Sequence, residues 1–138
     1  MRLVVDANVL ISALIRDGKS REIILSDVFE LVCPEYLGDE IYRHQEYIAR
    51  KSGLTPDEVS LLFNLLLRRI KTVPEISYKD KWEEAGTIIK SDPEDVPYVA
   101  CFLALRCDGV WTNDTHFSEG RGLIVYKTDA LLRMMKDR

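Results

Sequence analysis

The stretch Leu3-Val4-Val5-Asp6-Ala7-Asn8-Val9-Leu10 decides the fold of this chain. A short apolar run ends in an acid, and an amphipathic segment begins directly after it. This pattern is typical of a buried strand that carries a carboxylate to the edge of a parallel sheet. Asp6 is therefore predicted to lie where open parallel sheets bind their ligands.

The composition indicates one globular domain, residues 1–138, with 46% apolar and 30% charged residues. No apolar run approaches the ~20 residues of a membrane span, so no membrane association is expected. The sequence enters a strand without a signal-peptide pattern, which favours a cytoplasmic protein. The net charge of −4 argues against a general nucleic-acid coat, yet four acids in one metal site would account for the whole excess.

Strand and helix patterns alternate along the chain, which predicts an α/β fold whose central parallel sheet is covered on both faces. The strands are predicted at 2–5, 29–33, 70–73, 109–112 and 123–126. Five helices are predicted at 8–15, 34–51, 81–90, 98–106 and 129–136. Two more are predicted from their start signals, one after an N-cap at Ser20 and one after a capping box formed by Thr55 and Glu58. Cys33, Cys101 and Cys107 lack metal-site spacing and are expected to be buried thiols.

Three further acids, Glu40, Asp95 and Asp114, are expected at the same sheet edge as Asp6. Asp6 and Asp114 both follow strands, where capping a helix or forming a turn is the competing interpretation. Glu40 lies beside a buried helical stripe, with Asp39 as its competitor.

Asp92 and Asp95 flank Pro93, just before an apolar helix. One of the two acids is expected to cap that helix, and Asp95 is expected to face the sheet edge. The role of Asp92 stays open.

Carboxylates that converge in an apolar fold repel one another unless a cation joins them. Hard oxygen ligands select Mg²⁺ or Mn²⁺, and a divalent ion on an acidic cluster usually indicates phosphate chemistry. The sequence offers no alternative nucleophile, since it has only His44 and His116 and no zinc-type His pair or nucleophile elbow.

The chain resembles the PIN-domain nucleases, notably the VapC-like toxins of prokaryotic toxin–antitoxin pairs, over essentially its whole length. The resemblance rests on four motifs in order: Val5-Asp6-Ala7-Asn8-Val9-Leu10, Glu40 in the helix after the second strand, Asp92-Pro93-Glu94-Asp95, and Thr112-Asn113-Asp114-Thr115-His116-Phe117. It departs from the family at His116, where a second aspartate is common, and in the helix start at Val96 and Pro97.

The resemblance implies a PIN-like three-layer α/β/α domain and a Mg²⁺- or Mn²⁺-dependent ribonuclease. Carried over, Asp6, Glu40, Asp95 and Asp114 are the catalytic and metal-binding acids, and Asn8 and Thr112 support them. It also implies a possible VapB-like antitoxin partner, although PIN domains serve in RNA processing as well. A catalytically silent PIN-like binding module is the alternative from another class.

Candidate phosphate contacts for an RNA substrate are Arg43, His44, Arg68 and Arg69, although a solvated helix face is the favoured interpretation for each of them. Tyr42, Tyr47 and Tyr98 could stack a base, but packing is the favoured interpretation.

The leucines at 61, 62, 65 and 66 exceed what one helix face can bury, which indicates a homodimer or antitoxin interface, with core packing as the competing interpretation. An aspartyl-phosphate phosphatase is disfavoured because Asn8 stands where that class needs a second aspartate. A receiver domain is disfavoured because the acidic pair and the central phosphoacceptor strand are lacking.

Overall fold

The computed structural model describes residues 1–90 and 92–137 and contains one five-stranded sheet in the order β3-β2-β1-β4-β5. All four strand pairs are parallel. The strands are Arg2–Val5 (β1), Glu30–Pro34 (β2), Ile70–Val73 (β3), Gly109–Trp111 (β4) and Val125–Tyr126 (β5). The predicted α/β fold with a central parallel sheet is confirmed.

Helices cover both faces of this sheet. They are Ala7–Ile15 (α1), Lys19–Leu25 (α2), Tyr36–Arg43 (α3), Gln45–Ser52 (α4), Pro56–Leu67 (α5), Trp82–Ile88 (α6), Val96–Ala104 (α7) and Thr128–Lys136 (α8). Helix α7 packs on β1, β2 and β4 with α6 beside it, whereas α1 contacts α2, α3, α4 and α5, and α8 contacts α2. Successive residues of β1, Leu3, Val4 and Val5, are all fully buried. Since neighbouring side chains of a strand point to opposite faces, the sheet is covered on both sides.

The chain changes direction across the sheet between β1 and β4. From β1 it runs outward through β2 to β3, and it returns to the other side of β1 to form β4 and then β5. The carboxyl ends of adjacent strands diverge at such a switch point and leave a crevice that binds ligands. The pairing of Val5 with Trp111 places Asp6 beside Thr112 in this crevice.

The predicted helix over residues 34–51 is wrong in two respects. Pro34 is the last residue of β2, paired with Val73, and the helix begins only at Tyr36. Proline is tolerated there because pairing with β1 has already ended at Val32. The helix also ends at His44, which separates α3 from α4.

Other local predictions have mixed outcomes. The capping box of Thr55 and Glu58 is present at the start of α5, as expected. Gly18, and not Ser20, is the N-cap of α2. The three cysteines are buried and free. Among the described residues, no helix is both long and apolar enough to cross a membrane.

Candidate metal centre

Asp6 occupies the first position after β1, with its side chain only 4% exposed. It stands at the N-cap of α1, yet its carboxylate makes no capping hydrogen bond. The Thr112 hydroxyl, which is fully buried, donates a hydrogen bond of 2.7 Å to Asp6 Oδ2. The same Thr112 oxygen accepts the backbone N–H of Asp114 at 3.0 Å. Thr112 therefore fixes Asp6 relative to the loop after β4, and one oxygen of Asp6 stays available to a ligand.

Glu40 is the buried acid of α3, at 8% exposure, whereas its competitor Asp39 is exposed. It lies between the core residues Leu37 and Ile41 of the amphipathic α3 helix. The Tyr98 hydroxyl of α7 donates a hydrogen bond to Glu40 Oε1. This contact joins α7 to α3 and fixes one carboxylate oxygen of Glu40.

Asp95 precedes α7 and is half-buried. Asp92 caps the short 3-10 turn Pro93–Asp95 by accepting the backbone N–H of Glu94 at 2.9 Å, and the side chain of Asp95 caps nothing. Asp95 Oδ2 is buried, and it has no hydrogen-bond partner among the described residues. A buried carboxylate oxygen without a donor is costly unless a ligand satisfies it.

Asp114 accepts the backbone N–H of His116 at 2.9 Å and so caps the 3-10 turn Thr115–Glu119. The His116 Nδ1 atom lies 3.3 Å from Asp114 Oδ1. The capping role and the site role of Asp114 are therefore compatible, because only one of its oxygens caps the turn.

The pKa values of three acids are raised, chiefly by burial. The pKa of Asp6 rises to about 6, and those of Glu40 and Asp95 rise to about 7. Repulsion adds to burial: the charge on Asp6 raises the pKa of both Glu40 and Asp95, and Asp114 raises those of Asp6 and Asp95. Asp6 is thus the electrostatic centre of the four acids.

The chemistry of the donor atoms fits a hard divalent cation. Among the described residues, no three carboxylate, imidazole or thiol groups are close enough together to hold a metal ion as they stand. The four acids nevertheless offer carboxylate oxygens only, one of which is the orphaned Asp95 Oδ2. Oxygen donors of this kind suit Mg²⁺ or Mn²⁺.

The structure separates the four predicted phosphate contacts. Arg43 lies near the acids, where it forms an ion pair of 3.0 Å with Glu94 and donates a hydrogen bond to Tyr36. The exposed His44 ends α3. Arg68 and Arg69 lie at the end of α5, just before β3 begins, and Arg69 is paired with Asp27 at 2.6 Å.

Because the acids follow the carboxyl ends of strands, Arg68 and Arg69 lie at the opposite end of the sheet. We therefore leave them out of the site. Arg43 and His44 remain predicted contacts at its rim.

Sequence reasoning missed the role of Tyr98 as the partner of Glu40. A signal existed, since Tyr98 follows Asp95 by three residues and so falls on the same face of α7. Asn8, predicted as a support, is exposed at the second position of α1. Its backbone N–H, together with that of Ala7, lowers the pKa of Asp6.

A family model described as PIN domain matches residues 4–136. The chain belongs to this family. It is similar in fold to the crystal structure of VapBC2 from Rickettsia felis bound to a DNA fragment from their promoter, with a TM-score of 0.61 and 14% sequence identity. That match covers 92% of this chain and 98% of the other. No curated protein matches the chain.

Proposed function

We propose that this protein is a Mg²⁺- or Mn²⁺-dependent ribonuclease that hydrolyses phosphodiester bonds. The observation that supports the proposal most directly is the buried Asp95 Oδ2, which lacks a hydrogen-bond partner among the described residues, in an acid whose pKa burial raises and the charges of Asp6 and Asp114 raise further. Three of the four acids have raised pKa values, which is typical of groups that work on a ligand rather than on stability. Membership of the PIN domain family supports the same class of enzyme.

In the proposed site, Asp6, Glu40, Asp95 and Asp114 hold the ion, directly or through water. When bound, a divalent ion supplies an activated water as nucleophile and stabilises the charge that develops on the phosphate. Thr112 keeps the Asp6 carboxylate in place, and Tyr98 does the same for Glu40. An acidic residue of the site would accept the proton of the attacking water.

We further propose that the protein is the toxin of a toxin–antitoxin pair. The support is the fold shared with VapBC2 of Rickettsia felis, which was crystallised bound to a DNA fragment from their promoter. A small DNA-binding protein encoded next to this chain would favour a VapB-like antitoxin. A PIN nuclease that processes RNA without an antitoxin is the alternative, and the homodimer and the cytoplasmic location stay predictions.

The exposed leucines of α5 are the structural support for a partner. Leu61 is 63% and Leu65 is 45% exposed, while Leu66 is buried. The predicted surplus of leucines on this helix is therefore present, and it can serve a second copy of the chain or an antitoxin. A silent binding module is less favoured, because such a module has no need of three acids whose pKa values burial raises.

We expect purified protein to cleave single-stranded RNA in the presence of Mn²⁺ and to leave it intact with a chelator. Hydrolysis by water that expels the 3′ oxygen leaves a 5′-phosphate and a 3′-hydroxyl. Mass spectrometry of the products checks this. Products that end in a 2′,3′-cyclic phosphate, or cleavage unaffected by chelation, would contradict the proposal.

A further inference from the structure

A groove of about 990 Å³ lies between α1, α2 and α8. Asn113, the residue between Thr112 and Asp114, belongs to its lining. Its walls also carry the hydroxyl groups of Ser12, Ser20, Ser118 and Thr128. The groove therefore opens directly from the loop that bears two of the site residues.

The described lining of this groove is strongly basic. It contains Arg16, Lys19, Lys127 and Arg133 but only one carboxylate, Asp129. Lys19 pairs with Asp129 at 2.9 Å. Arg16, Lys127 and Arg133 are exposed and form no ion pair among the described side chains. This local excess of positive charge contrasts with the net charge of −4 of the chain.

One face of α1 connects the acids to the groove. Asn8 and Ser12 lie four residues apart in α1, so they share one face of the helix. Asn8 is at the Asp6 end of this face, and Ser12 lines the groove together with Arg16, the extended C-cap residue of α1.

The opposite wall of the groove is tied to the loop after β4. Thr128, the first residue of α8, accepts hydrogen bonds of 3.0 Å from Trp111 Nε1 and from Asn113 Nδ2. Its backbone N–H donates to Asn113 Oδ1, also at 3.0 Å. These three bonds hold α8, and with it Lys127 and Arg133, at a fixed place relative to Asp114.

We propose that this groove binds the phosphodiester backbone of a single-stranded RNA substrate next to the cleaved bond. The inference rests on the proposed function and adds the path of the substrate to it. Positively charged grooves track the backbone of single strands, and Arg and Lys position it without reading sequence. Ser12 and Asn113 add polar contacts at the end nearest the acids.

A bound divalent ion would offset the negative charge of the acids. The positive charge of the groove would attract the phosphates that flank the cleaved bond.

The test is the binding of a fluorescent single-stranded RNA of about 20 nucleotides to protein that carries Asp6→Asn, so that it is not cleaved. Adding Arg16→Gln, Lys127→Gln and Arg133→Gln is expected to weaken binding at least about tenfold at low salt. The slope of log affinity against log salt is expected to decrease by about 2, since each phosphate contact contributes about 0.7 for single strands. Fluorescence anisotropy at several salt concentrations measures both quantities.

The matched control removes three exposed cations outside the groove, Lys71→Gln, Lys79→Gln and Arg106→Gln. It is expected to leave the affinity within about twofold. Equal losses of RNA affinity in the two triple variants, or no loss in either, would contradict the proposal that the groove binds RNA. Binding of an acidic peptide that is lost in the groove variant while RNA binding persists would also overturn it, in favour of a protein-docking surface.

This experiment does not depend on cleavage. If the unsubstituted protein leaves RNA intact with Mn²⁺ while the groove variant loses RNA binding, the proposed function fails and the groove stands. If the unsubstituted protein cleaves RNA but the groove variant binds normally, the groove fails and the proposed function stands.

Discussion

Asp6→Asn is expected to lower the rate of RNA cleavage by about 10³-fold or more, the scale of losing one central electrostatic group of an active site. Asparagine keeps the shape of the side chain and can still accept the Thr112 hydrogen bond. It loses the negative charge that stands at the centre of the four acids. Single-turnover cleavage of a labelled RNA in Mn²⁺ measures the effect.

Asp39→Asn is the matched control, because Asp39 is an exposed acid of α3 one residue from Glu40. Its cleavage rate is expected to stay within about twofold of the unsubstituted protein. In the absence of metal, Asp6→Asn is expected to unfold at the same temperature or higher at pH 8, because it removes a buried charge. Full cleavage by Asp6→Asn would contradict the site.

The metal-free protein is expected to lose stability as the pH rises from 5 to 8. Burial raises the folded-state pKa of Asp6 to about 6 and that of Glu40 to about 7, above their ordinary values of 3.8 and 4.5. The folded state therefore binds more protons than the unfolded state in this range. The stabilisation is fully present below about pH 4 and is lost as the pH passes through 6 to 7.

For Asp6 alone, a shift of about two units corresponds to roughly 3 kcal/mol. The thermal midpoint is therefore expected to fall by about 5–10 °C between pH 5 and pH 8. Excess Mn²⁺ at pH 8 is expected to restore it, because a ligand that binds only the folded state stabilises it. A double variant, Asp6→Asn with Glu40→Gln, should reduce the slope of the profile, and Asp95, whose pKa is also raised to about 7, accounts for the slope that is left. Stability that rises steadily from pH 5 to 8 without metal would contradict the raised pKa values.

The strands were predictable because they are short apolar runs bounded by acids, Gly or Pro. Leu3 to Val5 and Gly109 to Trp111 bury nearly every side chain, and such runs have few alternatives in a chain of this size. The acids could be placed at one edge because parallel strands end together. For Glu40, the spacing of Leu37 and Ile41 predicted a position beside the core, where the structure has it.

Contacts between distant elements could not be predicted from local patterns. The bond between Tyr98 and Glu40 joins residues 58 positions apart, and the groove combines α1 and α2 with the distant helix α8. Arg68 and Arg69 were misjudged because they precede β3 and so lie at its amino end, whereas the acids lie at the edge where the strands have their carboxyl ends. Pro34 was misjudged because proline suits both a first helical turn and the last residue of a strand.

The most direct test of the metal centre is a calorimetric titration of the protein with Mn²⁺ at pH 8. We predict saturable binding to the unsubstituted protein and to Asp39→Asn, and an affinity at least about tenfold lower in Asp6→Asn and in Glu40→Gln. Binding should also weaken at pH 5, where protons compete for the acids. Equal Mn²⁺ binding in all four proteins, or none in any, would contradict a metal centre built from Asp6, Glu40, Asp95 and Asp114.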